Sequence, residues 1–273
     1  MRSVFKILFF SSLGGLLFLT NFLRRLLASF ALSWNTNDNL IYKFKSKYSG
    51  QTCVIVGNGP SLTKDDLDFI SQKGIKSFGV NKIYLIYSDT VWRPDFYVCE
   101  DIPTIESAFE EINTKIDCPK FIINDERLLR NNNTIRFNRI ASDFKEIDFF
   151  NNPIPYLFCG QTVTYICMQL AVFMGFKTIV LLGQDFTWEF QDDVVDAEGY
   201  AVVSEDNEHF HPEYYKPGEK QYRMTRKHYK YLIDAMSFAK AKCEKYGVRV
   251  FNGTRGGNLE VFPRIPLEKI QDV

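Results

Sequence analysis

Two histidines, His209 and His211, lie close together in a segment of the chain with few signals of regular structure. An imidazole titrates near neutral pH, so either side chain could accept the proton of a hydroxyl nucleophile. A zinc-binding pair is a second interpretation, although neither a cysteine nor a third histidine stands nearby. A third interpretation is that both histidines lie on the surface or pack in the core without a chemical role. The sequence favours acid–base chemistry at His209 or His211 and does not choose between them.

A glycine-rich hexapeptide, Gly57-Asn58-Gly59-Pro60-Ser61-Leu62, directly follows the apolar run 53–56. An apolar run, a glycine turn and a helix in this order predict a strand–turn–helix unit, in which free amides at the start of the helix face an anion. Thr63 and Asp66 have the spacing of a capping box. The turn has neither the dinucleotide fingerprint nor the Walker lysine. We therefore predict a phosphate cradle of main-chain amides, with an ordinary turn as the alternative.

Polar side chains also follow the other predicted strands, and they are Asn81, Glu100, Asp101, Gln161, Thr162, Thr164 and Asp185. Amides and hydroxyls at these positions could hydrogen-bond a nucleotide. Asp185 is a candidate catalytic residue that could hold a ribose, a metal or an acceptor sugar, or could instead cap a turn. Glu100 and Asp101 could bind a divalent cation or remain solvated. Ligands of open α/β sheets bind beyond the carboxyl ends of the strands, so these residues should converge with the glycine turn on one crevice.

Short apolar runs alternate with longer amphipathic ones after residue 50. This pattern predicts an α/β fold with a single open, mainly parallel, Rossmann-like sheet and helices on both faces. The predicted strands are Cys53–Val56, Ser77–Val80, Asp95–Cys99, Lys120–Ile123, Ile154–Phe158, Thr178–Leu182 and Arg249–Phe251. The predicted helices are Asp65–Gln72, Ile105–Asn113, Thr162–Phe173 and Thr225–Tyr246. Residues 125–152 and 188–218 are predicted to be long loops or a partly irregular lid.

The first 34 residues predict a membrane-associated helix. Residues 7–23 carry no charge, which is near the lower limit for spanning a bilayer, and from Leu19 to Phe30 apolar and polar residues fall on opposite helical faces. A signal peptide cleaved after Ala31 and a helix docked on the domain are the alternatives. Residues 35–50 are predicted to be a linker, and 51–273 the catalytic domain. Three lysines, Lys43, Lys45 and Lys47, favour the cytoplasmic face of the inner membrane for that domain.

The composition excludes some classes of function. Lysine plus arginine and aspartate plus glutamate both number 33, so the chain has no overall basic field that would recruit nucleic acid. The six cysteines have no metal-binding spacing, which argues for a reducing compartment and against a structural zinc site.

The order of the motifs resembles two related groups of proteins. The motifs shared with both groups are the hexapeptide, Asn81, Thr162-Val163-Thr164, Met174–Lys177 and Gly183-Gln184-Asp185-Phe186. One group is the bacterial lipooligosaccharide sialyltransferases, which use CMP-activated sialic acid. The other is the broad domain family that includes archaeal 6-hydroxymethylpterin diphosphokinases and flagellin-glycosylation proteins. Three further motifs look like the closing motifs of the second group only: His209-Phe210, Tyr214-Tyr215 and the tail 252–264. The second resemblance extends further, over roughly residues 51–265.

The resemblance implies that the glycine turn, Asn81 and residues 162–164 hold a nucleotide. In the sialyltransferases a late histidine is the general base, and tyrosines stabilise the departing phosphate. The residue after Gly-x-Asp-Phe, a phosphate-binding tyrosine in that group, is Thr187 in this chain. Stabilisation of the leaving group would therefore come from Tyr200, Tyr214 or Tyr215, or from a cation such as Mg²⁺.

Together these observations predict a membrane-associated, inverting glycosyltransferase with a histidine base and no required cofactor. It would transfer a sialic-acid-like or other keto-sugar from a CMP-activated donor to a cell-surface glycan, which is expected to be lipid-linked. One alternative is an ATP-dependent pterin-type diphosphokinase in which Asp185, Glu100 and Asp101 hold magnesium. Another is a catalytically inactive nucleotide-binding subunit of glycan assembly. Association into a homo-oligomer stays open.

Overall fold

The structure is a computed structural model, and it describes residues 19–125, 134–141, 144–188, 190, 200–202, 208–222 and 224–272. The helices are α1 (residues 19–29), α2 (Thr36–Tyr42), α3 (Lys64–Gln72), α4 (Ile102–Ser107), α5 (Phe109–Lys115), α6 (Val163–Met174) and α7 (Arg226–Lys245). The strands are β1 (Thr52–Val56), β2 (Lys76–Val80), β3 (Phe96–Cys99), β4 (Lys120–Ile123), β5 (Thr134–Phe137), β6 (Arg139–Ile140), β7 (Leu157–Phe158), β8 (Thr178–Leu182), β9 (Tyr200–Val202), β10 (Lys220–Tyr222) and β11 (Arg249–Asn252). Two 3₁₀ helices cover Ile83–Ile86 and Leu267–Asp272.

Seven strands form one sheet in the order β11-β8-β1-β2-β3-β4-β5, and all of its pairs are parallel. From β1 the chain adds strands on one side as far as β5. It then returns to the other side of β1 with β8 and β11. The order of the strands therefore reverses between β1 and β8, and such a switch point leaves a crevice beyond the carboxyl ends of the two strands.

The strands and the helix around the switch point are buried because their residues are mostly apolar. All five residues of β8 and the last four of β1 are buried, as expected of continuous apolar strands covered on both faces. Helix α6 is apolar almost all round, and eleven of its twelve residues are buried. It ends at Gly175, whose φ of 93° is the left-handed conformation that glycine adopts without strain. This rigid centre fixes the crevice.

The Rossmann-like sheet confirms the predicted fold class, and six of the seven predicted strands lie in it. The prediction of a sheet strand at Ile154–Phe158 is wrong, because only Leu157–Phe158 is extended and it pairs with β6 outside the main sheet. Strand β5 lies inside the segment that was predicted to be a loop. The predicted helix Ile105–Asn113 is two helices, α4 and α5, that meet at Ala108.

The segment predicted to be a linker, residues 35–50, contains helix α2 and packs against the sheet domain. Asn35 caps this helix, and Ile41 and Phe44 are buried in the main core. The ring of Phe44 contacts the rings of Phe96 and Phe121 edge-on. The segment predicted to be a linker is therefore packed against the sheet domain.

Helix α1 turns its arginines towards the domain. The guanidinium of Arg24 donates to both carboxylate oxygens of Asp38, at 3.0 and 2.9 Å, and Arg25 donates to the carbonyl oxygen of Ile154 at 2.6 Å. The opposite side forms what we call the N-terminal apolar surface, whose members are 42–69% exposed: Leu19, Phe22, Leu23, Leu26, Phe30, Leu32 and Trp34. Within the described residues, none of the helices has the length and apolar character needed to cross a bilayer. Residues 1–18, which hold most of the uncharged run, lie outside the described residues.

Candidate functional site

The glycine turn after β1 lies directly against the turn after β8. The amide of Gly57 donates to the carbonyl of Leu182 at 2.7 Å, and the amide of Gly59 donates to that of Gly183 at 2.9 Å. A Cβ atom on Gly57 would lie 2.2 Å from Nε2 of Gln184, and one on Gly59 would lie 1.9 Å from Oδ2 of Asp185. The two glycines are therefore required for the close approach of the two strand ends.

Most amides of this turn already have partners within the protein. Ser61 donates its amide and its hydroxyl to the Asp185 carboxylate, at 3.2 and 2.9 Å, and the Thr63 amide donates to Asp66. The first turn of α3 also carries Asp65 and Asp66, and the carboxylate of Asp66 is paired with the guanidinium of Arg255. This differs from the predicted cradle of free amides. The physical reason is that β8 runs beside β1 and supplies the acceptors.

A cavity of 130 Å³ opens at the switch point, and we call it the switch-point cavity. It is lined by Gly57, Asn58, Gly59, Val80, Asn81, Thr162, Val163, Thr164, Gly183, Gln184, Asp185, Phe186, Thr187, Trp188, Glu208, His209 and Tyr214. Five different parts of the chain thus contribute to one site: the turns after β1, β2 and β8, the start of α6, and the segment 208–214. The ends of β1, β2 and β8 and the start of α6 meet at this crevice as expected, whereas Glu100, Asp101 and Gln161 do not line it.

A second cavity, of 360 Å³, adjoins the first, and we call it the side cavity. It is lined by Asn81, Glu100, Asp101, Arg139, Ala141, Cys159, Gln161, Thr162, Val163, Trp188, His209, Tyr215, Gln221 and Met224. The residues common to both cavities are Asn81, Thr162, Val163, Trp188 and His209. His209 and the first residues of α6 therefore form the boundary between the two spaces.

Two buried amide groups in the switch-point cavity lack a partner on one atom. Asn58, 8% exposed, donates through Nδ2 to the carbonyl of Val80 and to the hydroxyl of Tyr214, both at 3.0 Å, but its Oδ1 accepts no hydrogen bond from a described residue. Gln184, 6% exposed, accepts from the Thr164 hydroxyl at 2.9 Å, but its Nε2 has no acceptor among the described residues. Buried polar atoms are nearly always paired in folded proteins. Two residues of the cavity lining therefore each carry an unpaired polar atom, an acceptor on Asn58 and a donor on Gln184.

The segment 208–219 is fastened over the strand ends. The amide of Phe210 donates to the carbonyl of Asn58 at 2.9 Å. Lys82, which is buried, donates through Nζ to the carbonyl of Tyr214 and to the carboxylate of Glu219, both at 2.8 Å. These contacts hold His209 at the boundary of the cavities.

The two histidines have different surroundings. His209 lines both cavities, whereas His211 lines neither of them, and its Nδ1 accepts a hydrogen bond from the amide of Glu213 at 3.1 Å. The sequence could not separate the two residues, but the geometry favours His209 as the residue that reaches a ligand.

Backbone strain concentrates at the cavities. Six residues other than glycine have positive φ angles in the described part of the chain, and three of them, Asn81, Gln161 and Phe186, line a cavity. Their φ values are 49°, 64° and 56°. Strained residues persist where the surroundings fix them and often mark functional sites.

The three carboxylates proposed for magnesium do not come together. Asp185 accepts both donors of Ser61, and burial raises the pKa of its carboxyl even though Ser61 opposes the shift. Glu100, in the side cavity, pairs with Arg139 at 3.1 Å, and burial likewise raises its pKa although Arg139 lowers it. Asp101 caps α4. No group of three or more His, Cys, Asp or Glu side chains could hold a metal within the described ranges.

Most of the predicted site residues line one of the cavities. In the switch-point cavity these are Gly57, Asn58, Gly59, Asn81, Thr162, Thr164, Asp185, His209 and Tyr214, and in the side cavity Gln161 and Tyr215. Pro60, Ser61 and His211 line neither, and the side chain of Tyr200 lies outside the described residues. Four further residues line the cavities but were not predicted as site residues, and they are Arg139, Gln184, Glu208 and Gln221. Of these, only Gln184 could have been predicted from the sequence, because it belongs to the motif that follows β8.

A parallel sheet with a polar cavity at its switch point defines a Rossmann-like α/β protein. The sequence model of the family described as "6-hydroxymethylpterin diphosphokinase MptE-like" matches residues 30–190, more than half of the 273-residue chain. The chain belongs to this family, which confirms the resemblance predicted from the motifs. None of the curated proteins compared with the chain matches it.

Two solved structures match the chain. The MAf glycosyltransferase of Magnetospirillum magneticum AMB-1 has 15% identity and a TM-score of 0.51, over 82% of this chain and 35% of that one. The chain therefore spans about a third of the length of that protein. The sialyltransferase CstII of Campylobacter jejuni, solved in complex with a substrate analogue, cytidine-5′-monophosphate, has 15% identity and a TM-score of 0.41, over 80% of this chain and 86% of that one.

Proposed function

We propose that the chain is an inverting glycosyltransferase that takes its sugar from a nucleotide-activated donor. The observation that carries this proposal is the pair of unsatisfied buried atoms in the switch-point cavity, Asn58 Oδ1 and Gln184 Nε2. A phosphate group at neutral pH offers mainly acceptors, whereas a nucleoside offers donors and acceptors side by side on its base edge and its ribose. The complementary pair therefore suits the nucleoside part of the donor.

The start of α6 is the better place for the donor phosphate. Its first turn has no acidic residue, in contrast to that of α3, and Thr162, Val163 and Thr164 line the switch-point cavity. The amides of a helix N-terminus and its dipole favour negative charge. Charge that develops on the departing nucleotide would be stabilised there, together with Tyr214, which lines the same cavity.

His209 is the proposed general base. It would take the proton from the acceptor hydroxyl as the oxygen attacks the anomeric carbon, and the bond from that carbon to the nucleotide phosphate would break. A single displacement of this kind inverts the anomeric centre. The position of His209 between the two cavities suits a base that must reach the acceptor while the donor occupies the neighbouring space.

CMP as the nucleotide and a sialic-acid-like or other keto-sugar as the transferred group come from the motif resemblance. The fold shared with a MAf glycosyltransferase supports a transferase of this general type. Asp185 is proposed to help hold the donor.

The acceptor is proposed to be a lipid-linked surface glycan on the cytoplasmic face of the inner membrane. The N-terminal apolar surface supports this location. The arginines of helix α1 face the domain, and the large apolar side chains of this surface point outward. It continues an uncharged run of sequence, and exposed lysines at 43, 45 and 47 follow it. Aromatic and basic residues of this kind favour an anionic bilayer interface. Association into a homo-oligomer stays a proposal without a structural argument.

The second candidate is a diphosphokinase acting on a pterin, and the description of the family favours it. This reaction would need magnesium between the phosphates of ATP. Asp185, Glu100 and Asp101 already have partners within the protein, so this reaction would require them to change partners when magnesium binds.

A ligand screen separates the candidates. A ligand that binds only the folded protein raises its melting temperature. The full chain should be stabilised by CMP without magnesium, and it should release CMP from a CMP-sugar when a glycan acceptor is present. Stabilisation by ATP with magnesium, and not by CMP, would instead support the diphosphokinase. Binding of CMP with no transfer to any acceptor would favour a nucleotide-binding subunit that has lost catalysis.

A further inference from the structure

The side cavity has the chemistry of a sugar-binding site. Its volume of 360 Å³ is within the usual range for small-molecule sites, about 300–1,000 Å³. Trp188 and Tyr215 contribute aromatic surface against which the apolar side of a sugar ring can pack. His209 stands at its boundary with the switch-point cavity.

Gln221, which lines this cavity, has an unsatisfied acceptor. The residue is 4% exposed, and its Nε2 donates to the carboxylate of Glu208 at 3.3 Å. A carboxylate only accepts hydrogen bonds, so this contact fixes which end of the amide is the nitrogen. The remaining atom, Oε1, is buried and receives no hydrogen bond from any residue in the described ranges. A ligand in the side cavity is expected to supply the missing donor.

The charges of the cavity disfavour an anionic ligand. Arg139 is the basic side chain in the described lining, and the carboxylate of Glu100 engages it at 3.1 Å. Arg139 also donates to the sulfur of Cys159 at 3.2 Å. Asp101 adds a further carboxylate, so the formal charge of the lining is negative. A sugar acid would have to compete with Glu100 for the guanidinium, whereas a neutral hydroxyl needs no such exchange.

We propose that the side cavity binds the acceptor of the transfer reaction as a neutral, hydroxyl-bearing sugar, and that Gln221 Oε1 accepts a hydrogen bond from one of its hydroxyls. The proposal rests on the proposed function, since it assigns the donor nucleotide to the switch-point cavity. It makes Gln221 a specificity-determining residue. A hydroxyl bound there lies in the space that His209 borders, as a nucleophile requires.

Saturation-transfer NMR on the full chain, with CMP present, tests this assignment. The probes are methyl β-galactoside and methyl N-acetyl-β-glucosaminide, which are neutral, and methyl β-glucuronide, which is anionic. The neutral glycosides should bind and the glucuronide should bind more weakly. Gln221→Met keeps the side-chain length and removes the acceptor, and it should weaken binding of the neutral glycosides about fivefold or more. The matched control is Gln72→Met, at an exposed position at the end of α3, which should bind like the parent.

A second variant guards against a folding defect in Gln221→Met. Ala141 is an exposed residue of the cavity lining, so Ala141→Trp should fill the entrance and abolish glycoside binding while the thermal shift with CMP is kept. Binding that is equal in the parent and in both variants would overturn the inference, and so would a preference for the glucuronide. If CMP stabilises the protein but no neutral glycoside binds, this assignment fails and the proposed function stands. If the glycosides bind as described and CMP does not, the assignment stands and the choice of donor fails.

Discussion

The imidazole ring of His209 lies parallel to the phenol ring of Tyr214, with the ring centroids 3.9 Å apart and 3° between the planes. The hydroxyl of Tyr214 accepts a hydrogen bond from Nδ2 of Asn58 at 3.0 Å. A single buried tyrosine therefore connects the proposed base to the glycine turn. This connection positions the base relative to the cavity proposed to hold the nucleotide, and it leads to the first two predictions.

His209→Ala should reduce sugar transfer by about 100-fold or more, because a positioned general base typically contributes about 10²–10⁴-fold. The measurement is the release of CMP from a CMP-sugar in the presence of acceptor. His211→Ala is the matched control, and it should retain transfer within a few-fold of the parent. The assignment is wrong if the two substitutions have equal effects.

Tyr214→Phe keeps the ring that stacks on His209 and removes the hydroxyl that Asn58 contacts. The unfolding free energy should fall by about 1 kcal/mol, because a buried donor of Asn58 loses one of its two acceptors. Binding of CMP should weaken, since the side chain that presents Oδ1 to the cavity is less firmly held. Urea unfolding and CMP titration measure the two effects. Unchanged CMP affinity would show that Asn58 does not contact the nucleotide.

Asp185→Asn should change the dependence of stability on pH. Burial raises the pKa of this carboxyl above its ordinary value of 3.8. The folded state then holds the proton more tightly than the unfolded chain does, so ionisation of Asp185 destabilises the fold as the pH rises through the raised pKa. The unfolding free energy of the variant, minus that of the parent, should increase from about pH 3 to about pH 7. Urea unfolding at a series of pH values measures this difference.

Ser61→Ala provides the companion variant. It removes the hydroxyl that donates to Asp185 at 2.9 Å, a hydrogen bond that opposes the rise in pKa. The loss of stability with increasing pH should therefore be larger than in the parent. If the unfolding free energy of Asp185→Asn minus that of the parent is flat, or falls with increasing pH, the raised pKa is contradicted.

Gly59→Ala should destabilise the fold by about 1–3 kcal/mol, the usual range for overpacking. The added Cβ would lie 1.9 Å from Oδ2 of Asp185 and 2.8 Å from the carbonyl oxygen of Gly183. Combining it with Asp185→Ala should recover only part of the loss, because the backbone contact stays. Thermal unfolding of the single and double variants measures the loss of stability and its partial recovery. A Gly59→Ala protein as stable as the parent would contradict the close approach of the two turns.

The pair Phe22→Asp and Leu26→Asp should reduce binding to anionic vesicles by about tenfold or more, since charged residues are strongly disfavoured in an apolar interface. Co-sedimentation of the full chain with vesicles measures the bound fraction. Ser29→Asp, at an exposed polar position of the same helix, is the matched control and should bind like the parent. If the control and the double variant sediment alike, the N-terminal apolar surface does not contact lipid.

The elements that the sequence predicted correctly are those whose local pattern agrees with their place in the fold. Strands β1 and β8 are continuous apolar runs because both faces of the central sheet are covered. Strand β5 escaped notice because only Ile135 and Phe137 are buried, and polar residues surround it. Helix α2 begins with four polar residues, Thr36–Asn39, so the composition of its first turn is that of a loop.

The site was predictable in position but not in detail. Strand ends in a parallel sheet meet at one edge, so the convergence of the glycine turn, Asn81, Thr162 and Asp185 followed from general rules. Which amides of the turn stay free depends on the partner strand, and β8 is far from β1 in the chain. The roles of Gln221 and Arg139 could not be predicted either, because the residues that contact them are distant in the chain.

The segment after β11 makes hydrogen bonds to the backbone of the switch-point cavity. The hydroxyl of Thr254 accepts a hydrogen bond from the Gln184 amide at 3.0 Å, and the Asn258 amide donates to the carbonyl of Asp185 at 2.7 Å. A nascent polypeptide that stops before residue 249 would leave the edge of β8 open to intermolecular pairing and the Gln184–Asp185 turn without these supports. The site can therefore form only after residues 249–258 have been synthesised. Partial translation products should bind chaperones before they can bind a ligand.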